Sequence, residues 1–80
     1  MRFECDTHHD TTAENMFEAA RIFAGRKARA MFGQRADVRA INLISWTPTG
    51  SMGTFNAFLG LSRNGNTTGN EVTFSVYAKQ

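Results

Sequence analysis

Eighty residues with nine Lys/Arg against seven Asp/Glu, a net charge of +2 and a single cysteine describe one small domain, residues 1–80. The inventory excludes an internal disulfide framework, and no apolar run approaches the ~20 residues needed to cross a bilayer. The opening Met1-Arg2-Phe3-Glu4 lacks the apolar core of a secretion signal, so the cytoplasm is the expected compartment and no membrane partner is expected.

Arg2 to His8 reads as a first strand. Phe3, Cys5 and Thr7 alternate with Arg2, Glu4, Asp6 and His8. The stretch Cys5-Asp6-Thr7-His8-His9-Asp10 holds metal-ligand residue types. Alternation sends Cys5 and His8 to opposite faces, and no second cysteine exists to close a site. We therefore expect no metal and no cofactor. The same alternation turns Cys5 inward, away from any role as a nucleophile paired with histidine.

The spacing predicts one long helix from Thr11 to Gly33. Thr11 with Glu14 reads as a capping box. Ala13, Met16, Phe17, Ala20, Phe23, Ala24, Ala28 and Met31 recur at three- and four-residue spacing on one face. Gly33 is the expected stop. Gly25 lies off that face, with no packing role to explain it. Ile22 falls on the solvent side, where it is either a lone exposed apolar residue or an anchor for a partner.

Val38 to Thr47 reads as a second strand of uneven alternation, with Ile41 and Leu43 on one side and Val38, Ile44 and Trp46 on the other. A bulge near Asn42 would reconcile the two sets. Pro48, Gly50 and Gly53 mark a loop. Gly50-Ser51-Met52-Gly53 has the spelling of a nucleic-acid clamp, but joins two strands rather than two helices and reads as a hairpin tip. Thr54 to Arg63 is a third strand, with Phe55, Ala57, Leu59 and Leu61 on one face and Asn56, Phe58, Gly60 and Ser62 on the other. A loop over 64–70 contains the turn dipeptide Asn64-Gly65. Glu71 to Lys79 is a fourth strand, with Val72, Phe74, Val76 and Ala78 facing inward.

The expected fold is α+β: a two-layer sandwich in the order β-α-β-β-β, one helix on a four-stranded, largely antiparallel sheet. A crossover through the helix would be right-handed if the strands it joins were parallel. The uncovered sheet face would carry Phe58 and Tyr77, with Trp46 as a third candidate. Such an aromatic patch would suit a homodimer or a docking partner.

Charge is unevenly spread. Residues 1–20 carry a net −4, residues 21–39 a net +5 and residues 40–80 a net +1. The cations of the middle segment are Arg21, Arg26, Lys27, Arg29, Arg35 and Arg39. Such a cluster can contact successive phosphates or steer an acidic partner. No aromatic platforms are interleaved with the arginines, as a single-strand binder would need, and an acidic half opposes a long duplex. A non-enzymatic protein-binding module is the leading expectation. Direct binding of double-stranded DNA or RNA comes next, then a small assembly protein dimerising through its open sheet face.

The pattern Thr12-Ala13, Glu18-Ala19-Ala20-Arg21 and Arg26-Lys27, followed by a meander, covers about half of the chain and resembles small phage-encoded inhibitors of CRISPR surveillance complexes. The resemblance implies binding to a large RNA-guided ribonucleoprotein complex in the host cytoplasm and obstruction of its access to DNA. The matching candidates are Arg21, Arg26, Lys27 and Arg29. The acidic first strand and the loop from Thr49 to Gly53 depart from that pattern.

Overall fold

A computed structural model describes residues 2–6, 10–47, 52–63 and 66–79. Five strands and one helix follow in the order β1 (Arg2–Cys5), β2 (Asp10–Thr12), α1 (Met16–Phe32), β3 (Asp37–Thr47), β4 (Met52–Arg63) and β5 (Asn66–Lys79). The strands form one sheet in the spatial order β2-β1-β5-β4-β3, and every neighbouring pair is antiparallel. The α+β class and single covering helix stand, but the sheet has five strands, not four.

The extra strand is Asp10–Thr12, which the sequence pattern assigned to a link and a helix cap. Two caps compete here, Thr11 with Glu14 and Asn15 with Glu18. The second prevails. Asn15 is extended (φ −154°, ψ 169°) and its side-chain oxygen accepts the Glu18 amide at 2.9 Å. The Glu18 carboxylate accepts the Glu14 amide at 2.9 Å. Both side chains thereby satisfy amides at or just before the helix start. Thr11 is released to pair with Phe3 and turns its β-branched side chain into the core.

The helix thus has 17 residues, about 25 Å. Gly33 ends it, at φ 98° and ψ 177°, donating its amide to the Arg29 carbonyl at 2.9 Å. The helix buries Met16, Ala19, Ala20, Phe23, Ala24 and Ala28. The alanines let its backbone lie close to the sheet, and phenylalanines fill the remaining space. Phe23 packs on Phe74 at 4.6 Å between ring centroids. Phe74 stacks on Phe55 at 5.9 Å, and Phe17 meets Phe55 edge-on at 5.6 Å. Two residues assigned to the core face, Phe17 and Met31, are 44% and 40% exposed. Ile22, assigned to solvent, is half-buried against the core.

Cross-strand partners share a face, so the register sorts the sheet. Phe3, Cys5, Thr11, Phe55, Ala57, Leu59, Phe74 and Val76 face the helix and are buried. In β3 the register shifts twice, between Val38 and Ala40 and between Leu43 and Ser45. These two bulges, rather than one near Asn42, put Val38, Ile41, Leu43 and Trp46 opposite Leu59, Ala57, Phe55 and Gly53, all on the helix side. Gly53 leaves room there for Met16: a Cβ would come within 2.7 Å of its sulfur, so that side chain would have to shift.

The meander is longer than the turn signals indicated. Asn66–Asn70, assigned to a loop, belongs to β5 and pairs from Arg63↔Asn66 to Leu59↔Asn70. The expected turn at Asn64-Gly65, the Pro48–Gly50 loop and the His8-His9 pair lie outside the described residues. Gly60 and Gly69 oppose each other, and the backbones run so close that a Cβ on Gly69 would strike the Leu59 carbonyl. No helix among the described residues is long and apolar enough to cross a membrane.

Candidate functional site

The carboxylates of this chain are largely occupied by its own structure. Asp6 accepts the Ser75 amide at 3.0 Å while its own amide donates to the Ser75 carbonyl. Asp37 accepts the Val38 amide at 2.8 Å, and Glu18 holds the Glu14 amide. Glu4 pairs with Lys79 at 2.8 Å, and Asp10 lies between Arg2 at 3.8 Å and Lys79 at 4.0 Å. The Lys79 ammonium holds the Glu4 carboxyl below the ordinary carboxylate range, with Asp10 as the next contributor. Glu4 in turn raises Lys79 above the ordinary lysine value.

The cations of the middle segment have no such ties among the described residues: none of Arg21, Arg26, Lys27, Arg29, Arg35 and Arg39 forms an ion pair there. All but Lys27 are exposed. At 100° per residue, Arg21, Arg29 and Arg26 span about 140° around α1 and about 12 Å along it. They form a broad band over the solvent side rather than a single flank. Lys27 falls outside it, toward the sheet, and is half-buried; its ammonium can still reach water on a long stem. Arg29 folds back over Gly25, its Nη1 3.4 Å from where a Cβ would sit. Arg35 and Arg39 extend the basic surface onto the turn after α1 and the start of β3.

Arg26 also lines a cleft of about 460 Å³ between α1 and β2, with Arg2, Asp10, Thr11, Thr12 and Ile22. Its rim is mainly polar and ionic, with Ile22 as the apolar element. Ile22 therefore supports this edge of the core beside the basic band.

The structure does not gather the three aromatic candidates. Tyr77 pairs with Met52, and Phe58 pairs with Glu71. Both rows lie on the open face but are six residues apart along β4, about 20 Å. Trp46, opposite Gly53, is on the other face and 49% exposed. Between Phe58 and Tyr77 the open face is polar. Thr54 and Ser75 hydroxyls lie 3.2 Å apart, and Asn56 donates to Thr73 at 3.3 Å and to the Val72 carbonyl at 3.5 Å. The Tyr77 phenol is pushed above its ordinary value, by burial first and by Glu4 next.

Cys5 is fully buried and its thiol is pushed up to about 12, by burial and then by Asp6. It is a core residue with no thiolate at neutral pH. Among the described residues no group of three or more His, Cys, Asp or Glu could hold a metal ion.

Trp46, named above as an interface aromatic, is one of three large exposed apolar residues on β3. Leu43, Ile44 and Trp46 are 39%, 57% and 49% exposed, and Phe17 packs edge-on against Phe55, the partner of Leu43 on the helix side. The signal was present in the apolar run Ile41 to Trp46, but a single-bulge reading set Trp46 on the face opposite Leu43, whereas the register puts the two on one face. Compared with protein-family models, curated proteins and solved structures, the chain matches none of them.

Proposed function

We propose that this chain is a binding module, not an enzyme, and that the basic band of Arg21, Arg26 and Arg29 engages an acidic surface on a larger protein or ribonucleoprotein assembly. One observation carries the reading. The carboxylates Glu4, Asp6, Asp10, Glu18 and Asp37 are committed to internal partners, while the six cations of residues 21–39 have no ion pair among the described residues. A surface of guanidinium groups with no ion pair among the described residues is suited to bidentate recognition of carboxylates. An acidic protein patch is preferred to a long duplex because the band is short and Glu14 and Glu18 flank it at the start of α1. A CRISPR surveillance complex is the target the sequence resemblance implies. Blocking its DNA-binding surface is the corresponding mode of inhibition.

The test is affinity capture from host lysate, with and without nuclease, using the native chain and an Arg26→Glu/Arg29→Glu variant. The expected result is one defined assembly that survives nuclease with the native chain and is lost with the variant. Recovery of heterogeneous nucleic acid alone, lost on digestion, would replace this reading with direct nucleic-acid binding. Equal recovery by both chains would remove the helix band as the contact.

A further inference from the structure

β3 is an edge strand of 11 residues. One side pairs with β4, so its other side presents unpaired backbone amides and carbonyls. Edge strands are usually protected by charge, proline or cover, with bulges as another device. Here the segment 40–47, Ala-Ile-Asn-Leu-Ile-Ser-Trp-Thr, contains no charge and no proline. It exposes Leu43, Ile44 and Trp46.

Its two bulges do something other than terminate pairing. They place the helix-side residues at Val38, Ile41, Leu43 and Trp46, positions symmetric about Asn42. A two-fold axis through Asn42 would set Leu43 of one copy against Ile41 of the other, and Trp46 against Val38. The two-residue steps 39–40 and 44–45 would oppose each other, so the bulges match and the ladder continues without a slip of register. Opposed residues in an antiparallel pair project from one face, which keeps all eight of these apolar side chains on the helix side. Moving the axis by one residue destroys the match.

Charge agrees with the same axis. Met16 sits on Gly53, the partner of Trp46, so the acidic start of α1, with Glu14 and Glu18, lies at the Trp46 end of β3. Arg35 and Arg39 lie at the Val38 end. Antiparallel pairing brings the acidic end of one copy to the basic end of the other. Phe17 adds apolar surface beside the seam through its contact with Phe55, the partner of Leu43.

We infer that a second copy of this chain pairs with β3 about a two-fold axis at Asn42, forming a continuous ten-stranded antiparallel sheet. Such an interface is isologous and closed, and main-chain hydrogen bonds supply much of its adhesion. The basic band faces away from the sheet on each copy, so the dimer carries two bands on the same side.

The test is sedimentation equilibrium of the native chain across a wide concentration range, beside Leu43→Lys, with folding checked by near-ultraviolet circular dichroism. Two cysteine variants, Asn42→Cys and Asn56→Cys, are oxidised in parallel. The native chain is expected at twice its 8.9 kDa mass, Leu43→Lys at the monomer mass, and Asn42→Cys to cross-link to itself while Asn56→Cys does not. If Leu43→Lys fails to fold, the cysteine pair alone decides. A native chain that stays monomeric throughout overturns the inference. So does a dimer that cross-links through Asn56→Cys and not Asn42→Cys, which would place the interface on the open face.

Discussion

At Gly25 an added methyl group would meet only the flexible Arg29 guanidinium, 3.4 Å away at its nearest. The residue is half-exposed and touches no strand closely. Replacing glycine by alanine inside a helix removes unfolded-state freedom and is worth about 0.5–1 kcal/mol. Gly25→Ala should therefore raise the melting temperature by several degrees. At Gly33 the same chemical change has the opposite sign. There φ is 98° and ψ 177°, a region almost restricted to glycine, and a side chain costs about 1–3 kcal/mol. Thermal melts of the two variants, followed by circular dichroism, check both signs. A Gly25→Ala variant that melts lower would mean that the Arg29 placement matters to the fold. The helical wheel had located Gly25 off the core face but left it unexplained. Gly25 lies beside the Arg29 guanidinium, which runs back along α1, and a wheel carries no information about a side chain's path.

The elements were legible where the pattern was long enough to repeat. In β4 and β5, Phe55, Ala57 and Leu59 and then Phe74 and Val76 alternate inward without interruption, and the parts Thr54 to Arg63 and Glu71 to Lys79 could be read. Met52, Gly53 and Asn66 to Asn70, stretches that carry turn residues, were assigned to loops but belong to the strands. β2 has three residues, too few for any period to declare itself, and its threonines also spell a cap. β3 failed for a different reason. Each bulge shifts parity by one, so two of them returned Val38 and Trp46 to the face of Ile41 and Leu43. The same ambiguity hid the exposed apolar edge. The start of α1 gives a direct test of which cap operates. Asn15→Ala removes the acceptor of the Glu18 amide and should lower stability by about 1 kcal/mol. The variant should also expose the first-turn amides to faster hydrogen exchange. If Asn15→Ala melts like the native chain, the cap has moved upstream toward Thr11 and β2 would have to fray with it.

Across the whole molecule the two signs of charge have different duties. Glu4, Asp6 and Asp10 join β1, β2 and β5 on the uncovered face, whereas Arg21, Arg26 and Arg29 sit over the opposite layer with no ion pair among the described residues. The candidate site was legible as composition, a run of cations in residues 21–39. Its distribution around α1 and the internal use of the carboxylates depended on contacts between distant segments. This separation gives a prediction about pH and substitution together. Glu4 titrates below its ordinary value in the folded chain because of Lys79, so its contribution is present above the unfolded carboxylate value and is lost as pH falls through the folded one. Lys79 titrates above its ordinary value, so its contribution is present below the unfolded lysine value and is lost as pH rises through the folded one. The pair therefore stabilises across the neutral range and weakens at both extremes. Lys79→Met should flatten the acid side of the stability profile where Glu4 titrates, because the carboxyl loses the neighbour that depressed it. Arg26→Gln and Arg29→Gln should leave that profile unchanged and stay within about 0.5 kcal/mol of the native chain, as exposed substitutions do. Melting temperatures from acid to alkaline pH for these three variants measure the difference. If the arginine variants lost stability as Lys79→Met does, the cations would be structural after all, and the case for a surface held in reserve for a partner would fall with them.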